Sequence, residues 1–235
     1  MKLIQRQGYL DFLRRNRNRP IVKVVSGIRR CGKSTLFRLF KDELLSEGVK
    51  PEQIISINFE ELEYEHLRDY HALYQYILER MQPDEMNYIF LDEIQHVDQF
   101  HRVVDSLFVK ENTDLYITGS NAYFMSSDIA TLLTGRYVEI QMLPLSFSEF
   151  YHSKYDGNQY SLIPAYESYL RESSFPYTQQ LGGEDFDIQE YLRGLYNTLL
   201  LHDVVARLKI SDVTILQDIV RYIMSNIGSL LSPNK

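Results

Sequence analysis

The stretch Gly27–Thr35, GIRRCGKST, constrains this chain more than any other. It fits the phosphate-loop pattern G-x-x-x-x-G-K-[ST] without a mismatch. An apolar run, Ile21-Val-Lys-Val-Val25, precedes it and reads as a strand. Leu36-Phe-Arg-Leu-Phe40 and Leu44-Leu45 follow at helical spacing. In a strand–loop–helix setting the successive backbone N–H groups form an anion nest, and the helix adds the positive end of its dipole. Gly27 and Gly32 let the backbone approach phosphate with no Cβ in the way. Lys33 can reach the β- and γ-phosphate oxygens, and Ser34 can offer its hydroxyl to Mg²⁺. The expected nucleotide-binding residues are Gly27, Ile28, Arg29, Arg30, Cys31, Gly32, Lys33, Ser34 and Thr35.

At 235 residues the chain can hold one large domain, or a medium one and a small one. No run approaches the roughly 18 uninterrupted apolar residues of a membrane helix, and the N-terminus lacks the apolar core of a secretory signal. The lone cysteine, Cys31, excludes an internal disulfide framework and fits a reducing cytoplasm. With no His or Cys partner nearby, it reads as a small filler in the loop. The net charge of −7 is uneven: residues 1–50 carry 13 Lys and Arg against 4 Asp and Glu, and the remainder 12 against 28. Arg14, Arg15, Arg17 and Arg19 form a basic cluster that reads either as a solvated helix end or as a nucleic-acid contact.

In chain order, residues 3–15 read as an amphipathic helix stopped by Pro20. The helix after the phosphate loop runs to about Ser46, with Gly48 as its cap. Ile54–Phe59 is a second strand, and a helix follows over about Tyr70–Met81. Tyr88-Ile-Phe-Leu-Asp92-Glu93 is then a buried strand ending in two acids. Downstream of a full phosphate loop this is a second strong signal: Asp92 holds Mg²⁺ directly or through water, and Glu93 polarises an attacking water. Phe100–Val109 is helical, and Leu115–Gly119 is a fourth strand. At its tip Thr118, Ser120 and Asn121 can contact the γ-phosphate or the attacking water, or Ser120 or Asn121 can cap the next helix. Arg136 opens a fifth strand, Tyr137–Gln141. It can stabilise transition-state charge in cis or across a subunit boundary, or simply form a structural ion pair.

From Pro144 no strand is convincing. Helices are expected at 162–172, 187–208 and 212–228, and their Tyr- and Leu-rich stripes read as core. The expected division is 1–145, an α/β phosphate-loop domain whose residues 1–19 form a basic N-terminal helix, and 146–235, a helical region.

Together GIRRCGKST, YIFLDEIQHV, YITGSN, LLTGRYVEIQMLPLSFSEF and YLRGLYNTLLLHDVV make the chain resemble the AAA+-like ATPases of bacteria and archaea that carry a C-terminal domain of unknown function. The resemblance implies a parallel five-stranded sheet in the order 5-1-4-3-2, flanked by helices. It implies ATP and Mg²⁺ at Gly27–Thr35, Asp92, Glu93 and the Ser120 region. It also implies a winged-helix-like segment in members that run well beyond this length, so the chain is expected to be a shortened form. A Gly pair usual before Phe-Pro is replaced here by Glu172-Ser-Ser. The function expected is Mg-dependent ATP hydrolysis driving a switch in the C-terminal region, in a partner or in a homo-oligomer, with ATP-regulated DNA binding as the alternative. Phosphoryl transfer to a small molecule fits less well: Asp92-Glu93 at a strand tip favours water, and no Arg-rich lid is visible.

Overall fold

A computed structural model of the chain describes residues 4–120, 133, 135–155, 160–181, 185–199, 205 and 213–229. They fall into two compact units, Met1–Gly182 and Gly183–Lys235. The first unit is built on five parallel strands: β1 (Val22–Gly27), β2 (Ile54–Asn58), β3 (Asn87–Asp92), β4 (Thr113–Ser120) and β5 (Tyr137–Met142). Their order is β2-β3-β4-β1-β5, the expected order read from the other edge.

The sheet is covered on both faces, so β1 and β3 are buried along their whole length. Alternate residues serve opposite faces. On one side Val22, Val24, Ile57 and Leu91 join Leu73 and Ile77 of α3 (Tyr70–Leu78) and Val103 and Leu107 of α4 (Phe100–Phe108). On the other, Val25, Phe90 and Tyr116 meet Leu10 and Leu13 of α1 (Gln7–Asn16) and Leu36, Phe37 and Phe40 of α2 (Lys33–Ser46). Phe90 stacks on Tyr116 at 4.7 Å, and Phe37 meets Phe90 edge-on at 5.2 Å.

A buried ion pair lies near the N-terminal ends of the strands. Lys23 and Asp114 are fully buried and pair directly. Lys23 Nζ also donates to the Arg19 carbonyl at 2.9 Å. Asp114 accepts from the Tyr116 hydroxyl at 2.7 Å and from the Asn18 N–H at 2.9 Å. Burial draws the Lys23 ammonium below its ordinary pKa, against the opposing pull of Asp114.

Three element boundaries have clear local causes. α2 stops where expected because Gly48, at φ +96°, lets its own N–H reach Leu45 O and the Val49 N–H reach Leu44 O, a Schellman closure. α1 begins at Gln7, later than the periodicity implies, because Arg6 is drawn out of the helix into contacts with four other residues. A helix not expected from the sequence, α5 (Phe147–Tyr155), is nucleated by a capping box: Ser146 N–H donates to Glu149 Oε2 at 2.8 Å, and Glu149 N–H to Ser146 Oγ at 3.2 Å. The first unit continues through α6 (Leu162–Glu172), so the two compact units divide after Gly182 and not after residue 145.

The second unit contains helices Asp185–Thr198 and Val213–Ser225. The expected helix over 187–208 is seen as the first of these, and its remainder falls outside the described residues, save residues 199 and 205. Among the described residues no helix is long and apolar enough to cross a membrane.

Candidate functional site

The site forms at the C-terminal edge of the sheet, where β1, β4 and β3 end side by side. β1 delivers the phosphate loop. At Gly27 a Cβ would stand 2.4 Å from the Met142 carbonyl oxygen, so only glycine lets β5 close over the loop. Gly32, at φ +106°, turns the chain into α2 from a left-handed conformation suited to glycine. Among the described residues no side chain caps α2. The first N–H groups of this 14-residue helix therefore keep their capacity for an anion.

Lys33 is almost completely buried at the head of α2. Its Nζ donates to Gly27 O at 3.1 Å and to Ile28 O at 3.4 Å, and lies 3.0 Å from Glu93 Oε1. The next residue, Ser34, lies by the Asp92 carboxylate and works to lower its pKa. The end of β3 thus brings Asp92 and the following Glu93 to the loop. Burial raises the Asp92 pKa; hydrogen bonds from Ser34 and Thr118 and the charge of Lys33 work against that rise, and Glu93 adds to it.

Thr118, one step beyond the Leu91–Ile117 pair of β3 and β4, ties the acids together. Its hydroxyl donates to Asp92 Oδ1 and its Oγ1 accepts the Glu93 N–H at 2.9 Å. Glu93 itself sits at φ +55°, ψ +48°, a left-handed conformation unusual for a residue other than glycine. Gln95, in the single turn that follows, donates its amide N–H to Glu93 Oε2 at 2.6 Å. Arg29, on the outer side of the loop, pairs with Glu60 at 3.1 Å.

Of the expected site residues, the structure brings Gly27, Gly32, Lys33, Ser34, Asp92 and Glu93 together. Ser120 ends β4 in register with Gly27. Asn121 lies outside the described residues. The Thr118 hydroxyl is engaged with Asp92 and with the N–H of Glu93. Cys31 is buried against the loop, and burial pushes its thiol pKa up.

Arg136 is at the other edge of the sheet. Its carbonyl accepts the N–H of Val22, the first residue of β1. The six residues of β1, at about 3.3 Å each, separate it from Gly27. Its guanidinium pairs with Asp105 at 3.2 Å, so a role in cis does not fit its position.

Two of the four arginines of the basic cluster are paired with acids. Arg14 grips Glu43 with two hydrogen bonds of 2.6 and 2.7 Å, and Arg17 pairs with Glu47.

Beside Gly32 and Thr35 a pocket opens between Ile4, Leu36, Leu39, Met142 and Pro176, with Gln180 at its wall. Among the described residues no group of three or more His, Cys, Asp or Glu side chains is arranged to hold a metal unaided. Two hard oxygen donors, Ser34 and Asp92, do converge. That donor set fits Mg²⁺, which takes few protein ligands and leaves the rest to phosphate and water.

Sequence reasoning missed Arg6 and Gln95. Gln95 carried no signal beyond standing two residues after Glu93. Arg6 stood apart from the basic cluster that drew attention.

Comparison with known proteins agrees with this geometry. The model of a family described as an AAA domain matches residues 19–151. An uncharacterized protein of Haemophilus influenzae is 38% identical over 236 residues, covering 99% of this chain and 58% of that protein. An uncharacterized protein of Methanocaldococcus jannaschii is 30% identical over 224 residues, covering 87% of this chain and 47% of that one. This chain therefore spans about half the length of these relatives. Among solved structures, a Walker-type ATPase of Pyrococcus abyssi superposes with a TM-score of 0.55 at 14% identity, covering 95% of this chain and 77% of its own; the likeness is one of fold.

Proposed function

The chain belongs to the AAA domain family, and from that premise we propose that it binds ATP with Mg²⁺ and hydrolyses it to reposition a neighbouring element. The observation that carries this reading is the meeting of Lys33, Ser34, Asp92 and Glu93 at the uncapped start of α2. The α2 N–H groups and Lys33 bind the phosphates. The pocket beside Thr35, apolar on most sides, suits the base. Ser34 and Asp92 would hold Mg²⁺, which supplies charge neutralisation on the phosphate oxygens. Lys33 exchanges Glu93 for phosphate, and this frees Glu93 Oε1 to take a proton from the attacking water. Ser120, in register with Gly27, is read as a contact for the γ-phosphate.

Movement has a physical route within the first unit. Arg6 joins the Cys31 carbonyl of the phosphate loop, at 3.3 Å, to Glu149 of α5. Arg136 acts, on this reading, on the nucleotide of an adjacent subunit in a homo-oligomer.

ATP binding and turnover with Mg²⁺ test the assignment. Lys33→Ala is expected to abolish binding. Glu93→Gln is expected to keep binding and lose turnover; hydrolysis at the wild-type rate would refute the base assignment. The DNA-binding alternative draws on Arg14–Arg19, whose partners Glu43 and Glu47 weaken it. Binding of duplex DNA that falls steeply with salt would restore it.

A further inference from the structure

Glu93 has two side-chain partners among the described residues, and they are not equivalent. Lys33 lies on Oε1 at 3.0 Å and the Gln95 amide on Oε2 at 2.6 Å. A phosphate-loop lysine is needed at the phosphate oxygens, which compete with Glu93 for its ammonium. When Lys33 turns to phosphate, Gln95 is the side chain that remains on the carboxylate.

The other end of the same amide points to a role beyond packing. Gln95 Oε1 is buried and accepts no hydrogen bond from the described residues. A buried carbonyl without a partner works against stability, and an apolar side chain of equal length would avoid that penalty. The backbone is arranged to bring this amide where it is. Glu93 is held left-handed with its N–H on Thr118 Oγ1, and the single turn Ile94–His96 folds residue 95 back beneath the carboxylate.

We propose that Gln95 is the positioning residue of Glu93: its amide N–H holds Oε2 so that Oε1 stays aimed at the attacking water once Lys33 has left. The inference rests on the hydrolysis reading above and adds to it a residue that reaches the reaction only through Glu93.

The test compares Gln95→Met with wild type in four measurements: thermal unfolding, ADP affinity, affinity for ADP with Mg²⁺ and aluminium fluoride, and steady-state turnover. Aluminium fluoride stands for the phosphoryl group in transfer and reads the water position without turnover. The variant is expected to melt no lower than wild type and to bind ADP within about twofold. It should bind the aluminium fluoride complex about tenfold more weakly and lose about tenfold in kcat at unchanged KM, the pattern of an interaction made only in the transition state. Gln95→Glu, which keeps the length but turns the donor into a carboxylate, is expected to lose at least as much. Wild-type affinity for the aluminium fluoride complex in both variants would overturn the proposal. So would a parallel fall in melting temperature and ADP affinity, which would mark a structural role. A wild-type protein that binds the complex yet never turns over would refute hydrolysis while still testing Gln95. One that binds neither ligand would overturn both.

Discussion

Arg6 and Glu149, 143 residues apart in the chain, meet in a two-point contact, with Nε on Oε1 and Nη2 on Oε2, each at 2.9 Å. The other donors of the same guanidinium go to backbone carbonyls: Cys31 at 3.3 Å, Leu143 at 2.5 Å and Pro144 at 3.1 Å. A guanidinium is the one side chain with enough donors, in a fixed fork, to hold all of these at once. The phosphate loop, the exit of β5 and the start of α5 are thereby fixed to a single group.

Arg6→Ala is expected to lower the unfolding free energy by about 3 kcal/mol, the scale for breaking a buried ion pair from one side. Arg6→Lys should recover less than half of that, because an ammonium cannot make the forked contact. Urea denaturation of the three proteins checks this.

The same contact sets an acid response. Burial alone would raise the Glu149 carboxyl, but hydrogen bonds from Arg6 and Ser146 outweigh it and hold the group below its ordinary range. A carboxyl depressed in the folded state stabilises fully above its unfolded pKa of about 4.3, and that contribution disappears as pH falls through the folded value. The stability gap between wild type and Glu149→Gln is therefore expected to be constant near neutrality and to close below about pH 4. Denaturation midpoints measured across this range test the sign.

Two glycines make opposite forecasts. Gly8 lies in α1 with nothing within 4 Å of the point where an added Cβ would stand, so Gly8→Ala should stabilise by about 0.4–1 kcal/mol through the unfolded chain. Gly27→Ala places that carbon against the Met142 carbonyl and should destabilise and weaken nucleotide binding together. Thermal melts with and without nucleotide separate the two.

Arg136→Ala removes a pair whose partners are 47% and 39% exposed, and the stability change should be under about 1 kcal/mol. If Arg136 serves a neighbouring subunit, hydrolysis per chain should fall most at protein concentrations where wild type assembles. A concentration series of turnover rates distinguishes that role from a purely structural pair.

The phosphate loop and the Asp92–Glu93 strand were legible because phosphate chemistry dictates their residue types at fixed spacing, and the strand order followed from the resemblance those motifs carry. What stayed hidden depended on partners distant in the chain. Nothing near Arg6 announces Glu149, and nothing near Arg14 announces Glu43. Thr118 read as a contact for phosphate because it stands near a strand tip; only the register of β4 against β3 turns its hydroxyl to Asp92. α5 was readable in principle, since Ser146 and Glu149 have capping-box spacing, but the aromatic texture around them drew the eye to a boundary instead.

The position of β1 between β4 and β5 also has a consequence for synthesis on the ribosome. The phosphate loop is made early, yet its strand must wait for neighbours that follow much later: Lys23 meets Asp114 91 residues downstream. β2 and β3 can pair in the meantime, while β1 has neither of its ladders. The carbonyl that packs over Gly27 belongs to Met142, at the end of the last strand to be made. The nascent chain thus carries Gly27 through 115 further residues before the Met142 carbonyl that closes over it has been made.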